Sequence, residues 1–400
     1  MSPRAWWPVA LMLALCGCGV LSETGISAAQ LSAARAAAQD DAHADARADA
    51  EAVIRPLVAT GITPGAVVGI LAADGGTHFF GYGVTDHASG RTPGADTLFA
   101  VGSLSKAFVA GATAALVRQG RLRWDETLPE LAPGYTSFSA DARQVTAWQL
   151  ASHTAGMPRQ PVDPFTALLF ARYLATGQNF YGHLDRTYAR DYLAGFVADR
   201  PGEQHYSNIG YGILSELVGL RAGESMAALV RRHMVVPLGL RCTGYDAAAL
   251  PCFADRAAGH AGDQPALLRR GAPAPDWRFT PLMLASAGLH STARDLLAMA
   301  AAHLPPAPDA LRETLAGNTR PHRTPVGQEA AVSWFTEEVE GRRLTFQVGF
   351  VAGYSSYVGL DLAHGSAVVV LQNSFNWDLR AGHLLLLRMA LRAEAATRRS

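Results

Sequence analysis

The sequence predicts an α/β chain, an antiparallel sheet flanked by helices and interrupted by an inserted helical domain. Three observations predict it. Strand-like runs come early, AVVGILAADGG at 66–76 and THFFGYGVTD at 77–86. Two more come only near the end, RLTFQVGF at 343–350 and SSYVGLDLAHGSAVVVLQN at 355–373. Between them, roughly 121–282 mixes helical segments with long connections containing Pro and Gly. Strands at both ends around a helical middle are most simply one sheet with an insertion. The expected parts are a sheet-containing domain over 51–118 and 283–400 and a helical domain over 119–282. No internal repeat is visible.

In chain order, residues 1–18 read as an export signal. Arg4 supplies the positive charge, and Ala5 to Leu15 is an apolar run too short to span a bilayer as a mature helix. It ends in Leu15-Cys16-Gly17-Cys18, like a bacterial lipobox with Cys18 as the lipidated residue. Cys16 is unusual at its position, so cleavage by an ordinary signal peptidase stays open. The expected location is therefore periplasmic, with a lipid anchor as the only membrane attachment. Residues 19–50 are rich in Ala and Asp and almost without large apolar side chains, which suits a tether.

Helical periodicity over 49–62 leads into the first two strands, and Asp74-Gly75-Gly76 between them is a hairpin signal. FAVGSLSK then opens an apolar-periodic helix that stops at Gly120. A terminal helix is expected over about 378–396, with Leu384 to Leu387 as a buried face rather than a membrane span.

Composition narrows the function classes. Of 400 residues, 49% are apolar and 17% charged, enough to bury a large core. A formal charge of zero gives no electrostatic case for a nucleic-acid partner. Cys242 and Cys252, ten positions apart, are either a disulfide of an oxidising compartment or two buried thiols. There is no His-Glu-x-x-His and no Cys-x-x-Cys pair, so neither a metal nor a cofactor is expected. No Gly-x-Ser-x-Gly nucleophile elbow is present either.

One residue carries more. Lys106 is the only lysine in a chain with 34 Lys plus Arg. It stands three positions after Ser103, so the two share a face if Ser103 opens the helix. A serine hydroxyl needs a base beside it. A buried lysine can become a neutral amine and act as that base, whereas a guanidinium does not deprotonate. A second element is His205-Tyr206-Ser207-Asn208, in a loop marked by Pro201 and Gly202. Tyr206 near an ammonium would lose its proton more readily. Asn208 offers a donor and an acceptor. His205 could tune Tyr206, and His153 reads as structural.

Together these segments resemble the serine β-lactamase-related family: class C β-lactamases, low-mass D-Ala-D-Ala carboxypeptidases and related esterases. The likeness runs from about 52 to 395 through DTLFAVGSLSKAF, LASHTAGMP, HYSNIGYGIL and SAGLHSTARDLL. It implies the β-lactamase/transpeptidase-like fold. It also implies Ser103 as acylated nucleophile, Lys106 and Tyr206 as proton-transfer partners, and Asn208 as an orienting residue. The third family motif falls on Gln347-Val348-Gly349, where the family has Lys-Thr-Gly. Gln347 would face the substrate, Gly349 would let the substrate lie against the strand, and the N–H groups of Ser103 and Phe350 would form the oxyanion hole. Gln347 and Val348 lack the charge and hydroxyl that favour a substrate carboxylate. The expectation is an exported serine hydrolase of a small-molecule ester, amide or peptide, leaning to esterase or D-amino-acid peptidase. The alternatives are a class C type β-lactamase, restored if an arginine approaches from elsewhere, and a non-catalytic envelope protein that binds peptidoglycan fragments.

Overall fold

The computed structural model describes residues 26–40, 46–161, 163–306, 308–377 and 380–397. The expected signal segment with Cys18 lies outside the described residues. The elements that position the site are helices α1 (Ala28–Asp40), α2 (Ala46–Ala59), α3 (Ser105–Arg118), α4 (Asn208–Ala222), α5 (Pro281–Ala287), α6 (Ala293–Ala301) and α7 (Arg380–Thr397). The strands are β1 (Gly65–Leu71), β2 (Thr77–Gly83), β3 (Phe335–Val339), β4 (Arg342–Val351), β5 (Tyr354–Asp361) and β6 (Ser366–Gln372). They form one antiparallel sheet in the order β2-β1-β6-β5-β4-β3.

Strand alternation divides the sheet between two cores. Ala66, Val68, Ile70, Val368 and Val370 pack against Ile54 of α2 and Leu385 and Leu386 of α7. Val67, Val369, Leu371, Val358 and Leu360 face the other way, into a larger core shared with α3, α4, α6 and the helical middle of the chain. α3 is buried from Ser105 to Leu116, as a helix apolar all round must be. The run at 355–373 is two strands, β5 and β6, joined by a turn at Asp361–Gly365. The edge strand β3 is not visible in the sequence reading, because Glu337 and Glu338 break its apolar pattern.

The tether expected over 19–50 needs correction in its described part. α1 lays Ala34 against Leu387 and Leu391 of α7. Asp49, 1% exposed, accepts from Arg388 Nε (2.5 Å) and Arg392 Nε (2.7 Å). Ile26 and Leu31 pack against the same cluster, so a segment with few large apolar residues still docks. Cys242 and Cys252 are disulfide-bonded, with Cα atoms 5.8 Å apart.

Candidate active site

A tight turn carries the serine. Gly102–Leu104 form a single 3₁₀ turn ahead of α3, and Gly102 sits at φ +52°. Ser105 Oγ donates to Gly102 O (2.6 Å) and accepts from Leu289 N–H (3.1 Å), which locks the turn to the segment after α5. Ser103 is half-buried, and Lys106, one helical step on, is fully buried. The Lys106 amine donates to Ser103 Oγ (3.0 Å), Asn208 Oδ1 (2.9 Å) and Ser286 O (3.0 Å). All three acceptors are neutral. With no carboxylate to hold the charge, burial pushes Lys106 well below the ordinary lysine range, helped by the nearby Arg159 cation.

Tyr206 and Asn208 arrive on the N-terminal end of α4. Ser207 caps that helix by accepting from Gly210 N–H (2.9 Å), and its hydroxyl donates to Pro158 O (2.7 Å). His153 Nδ1 accepts from Ser207 N–H (3.0 Å), so the ring proton belongs on Nε2. Burial, then Lys106 and Arg159, hold His153 well below the usual histidine range, and its neutral ring lies 4.7 Å from that of Tyr206. His153 thus holds the loop in place. His205 pairs instead with Glu203 (3.1 Å) near the surface. Tyr206 OH donates to Ser103 Oγ at 2.5 Å. Burial pushes the Tyr206 phenol up, opposed by Arg159 and by the Ser103 hydrogen bond. The sequence expectation of a tyrosine acidified by lysine is therefore corrected. The cation that lowers it is Arg159, and desolvation outweighs it.

The opposite wall is β4. β3 pairs only with Arg342–Phe346, so the edge of β4 beyond Phe346 is not covered by sheet. Here backbone meets backbone. A Cβ on Gly102 would come within 2.9 Å of Phe350 N, and one on Gly349 within 2.9 Å of Ser103 N and closer still to Val101 O. Ser356 Oγ donates to Val101 O (2.8 Å) and fixes the same contact. Gly349 thus serves the approach of strand to serine turn, not room for a substrate. Gln347 is also corrected: it is fully buried and turned out of the cleft. Its Nε2 donates to Ser333 O (2.5 Å), and its Oε1 accepts from Val348 N–H (2.9 Å). Strand parity sends it to the larger core, where its amide satisfies two backbone groups.

Between the walls lies a cleft of about 170 Å³ lined by Ser103, Tyr206, Asn208, Val348 and Phe350. Aromatic side chains close both sides, Phe180, Tyr181 and Trp277 on one and Phe350, Phe375 and Trp377 on the other. Asn208 Nδ2 donates to Tyr181 OH (3.0 Å), whose hydroxyl donates to Gln160 (3.1 Å). Ser103, Lys106, Tyr206, Asn208, Gly349 and Phe350 are therefore brought together; Gln347 is not. The sequence reading missed Arg159, Gln160, Tyr181 and the Ser286 carbonyl. Arg159 had one signal, a charge directly after the matched segment LASHTAGMP. No group of three or more His, Cys, Asp and Glu that could hold a metal ion is found among the described residues.

A family model described as Beta-lactamase matches residues 50–391. The chain is 32% identical over 263 residues to penicillin-binding protein 4 of Amycolatopsis lactamdurans, spanning 62% of either length. It is 27% identical over 346 residues to esterase EstB of Burkholderia gladioli, spanning 78% of this chain and 86% of that one. In fold it is similar to a class C beta lactamase from Rhodobacter sphaeroides, with TM-score 0.70 at 21% identity over 87% of this chain and 99% of that one. The D-alanine carboxypeptidase AmpC of Burkholderia cenocepacia gives TM-score 0.69 at 21% identity over 86% and 98%.

Proposed function

The chain belongs to the beta-lactamase family, and from that premise we propose that it is a serine hydrolase splitting an ester or amide through an acyl-serine on Ser103. The observation that carries the reading is the double hold on one oxygen. Ser103 Oγ receives both the Lys106 amine at 3.0 Å and the Tyr206 hydroxyl at 2.5 Å. A fully buried lysine with only neutral acceptors costs stability that a folded scaffold alone does not require. A peptidoglycan binder would need none of this.

In its neutral form, favoured by burial, the Lys106 amine donates to Asn208 Oδ1 and Ser286 O and turns its lone pair to Ser103 Oγ, from which it takes the proton. The alkoxide attacks the carbonyl, and the N–H groups of Ser103 and Phe350 receive the oxyanion. Tyr206 gives its hydroxyl proton to the departing oxygen or nitrogen and is reprotonated from the Lys106 ammonium. Water, giving a proton to the neutral Lys106 amine, then attacks the acyl-serine; Ser103 Oγ leaves with that proton and the acid is released. The aromatic cleft suits a compact, largely apolar substrate, and Gln347 offers it no charge. Both features favour an esterase or D-amino-acid peptidase over a β-lactamase.

Intact mass after exposure to a fluorophosphonate, a penicillin and a D-Ala-D-Ala mimic tests the reading. An adduct on Ser103 from at least one is expected; no adduct from any sinks it. Export with lipidation of Cys18 is part of the same proposal and rests on the sequence of residues 1–18. A diacylglyceryl mass that disappears in Cys18→Ser is the expected result. A soluble, unlipidated mature form would overturn the anchor.

A further inference from the structure

We propose that the helix Pro164–Thr176 is an interfacial docking face that sets the mouth of the cleft on an anionic lipid surface. Its sequence, PFTALLFARYLAT, is apolar nearly all round, yet the helix lies at the surface. One stripe, Thr166, Phe170 and Tyr173, turns inward, and Phe170 and Tyr173 line the cleft. The opposite stripe, Phe165, Leu168 and Arg172, faces water, with Phe165 54% and Leu168 65% exposed. Leu267, 72% exposed, extends this face at the far end of the helix, where its N–H donates to Leu174 O (2.9 Å). Trp377, on the other wall of the cleft, is 39% exposed. Four large apolar side chains around one opening form a patch, not scattered exposure.

Charge says what covers it. Arg172 stands in the exposed stripe, Arg269 two residues beyond Leu267, and Arg278 beside Asn179, all three exposed. Asn179 ties two of them to one edge: its O accepts from Arg172 (3.5 Å), and its Nδ2 donates to Arg278 O (2.5 Å). None of the three has an ion-pair partner among the described residues. The neighbouring acids are engaged elsewhere. Asp163 caps the helix, accepting from Phe165 N–H and Thr166 N–H (both 2.9 Å), while Asp263 pairs with Arg270 and Asp276 with Arg256. A second copy of the chain on this face would bring like charges together. An apolar face edged with unpaired arginines suits a membrane interface, where apolar side chains enter the acyl boundary and cations meet anionic headgroups. Phe170 and Tyr173 then put the cleft beside that boundary, so an ester carried in the lipid enters it without crossing water. This last step rests on the acyl-serine reading above; the docking does not.

The test uses the full chain carrying Cys18→Ser, which takes no lipid anchor, sedimented with vesicles of phosphatidylcholine alone or mixed with phosphatidylglycerol. Binding is expected, tighter on the anionic vesicles by roughly 5-fold per engaged arginine and weakened by salt. Phe165→Ser with Leu168→Ser should weaken it at least ~10-fold. Leu220→Ser with Val236→Ser, exposed apolar residues elsewhere, should not. Arg172→Gln with Arg269→Gln should remove most of the preference for phosphatidylglycerol. Neither Phe165 nor Leu168 lines the cleft. Their double variant should therefore hydrolyse p-nitrophenyl acetate in water at the wild-type rate and lose only turnover of a long-chain ester dispersed in the vesicles. No binding, equal binding by the two serine pairs, or a solution dimer that Phe165→Ser with Leu168→Ser dissolves overturns the inference. Hydrolysis of neither ester, with vesicle binding intact, overturns the acyl-serine reading and leaves the docking face standing.

Discussion

The two walls of the cleft are made by different means. On the helical wall, side chains converge on one oxygen: Lys106 and Tyr206 reach Ser103 Oγ, while Asn208, His153 and Arg159 hold or bias them. On the strand wall the contact is glycine against backbone, Gly102 on Phe350 and Gly349 on Ser103, and the one long polar side chain, Gln347, is withdrawn. Reactivity is set by electrostatics on one side and by shape on the other. A change of charge on the strand wall should therefore leave the Lys106 and Tyr206 contacts to Ser103 in place, provided the glycines stay.

The contrast can be broken most severely at Lys106. Lys106→Arg keeps a cation but removes the proton acceptor, so Ser103 acylation should fall at least ~10²-fold, read by stopped-flow with a chromogenic ester. In wild type the rate should rise with pH, because a lysine pushed below 10.5 gains its neutral, basic form as protons leave, at lower pH than a free lysine would. That rising limb should vanish in Lys106→Arg. A wild-type rate from the variant would make the lysine incidental.

A change of shape alone should come next. In Gly349→Ala the added methyl meets Val101 O and Ser103 N, displacing the serine turn. Displacements near 1 Å cost about 10²-fold in well-aligned sites, so acylation should drop roughly 10- to 100-fold with the pH limb unmoved. A shifted limb would mean that the strand wall also tunes charge. The smallest catalytic effect belongs to Gln347→Ala. It leaves Ser333 O and Val348 N–H without their buried partner. Chemical denaturation should show a loss of about 1–3 kcal/mol, with acylation changed by less than ~10-fold. A larger kinetic than thermodynamic effect would return Gln347 to the substrate.

Ser103 and Lys106 were legible because helical spacing alone puts them on one face, and because the only lysine in the chain had to answer for itself. The sheet was legible from its apolar runs, apart from β3, whose glutamates hide it. Gln347 was legible as a strand residue but not in its direction: parity gives two faces, and only the packed structure says which one is the cleft. Arg159 depends on contacts between segments some fifty residues apart, such as Asn208 N–H on Arg159 O, and local pattern is blind to these. α1 was hidden for a similar reason, since its docking site on α7 lies at the other end of the chain.

A protein with one lysine has one side-chain amine, and here that amine is sealed between Ser103, Asn208 and Ser286. Feeding isotope-labelled lysine during expression would therefore give a single side-chain NMR signal that needs no assignment. Its chemical shift against pH would titrate the proposed base directly, free of any substrate. The same peak would report every adduct on Ser103 as it forms, so the enzyme carries its own spectroscopic probe at the atom that matters most.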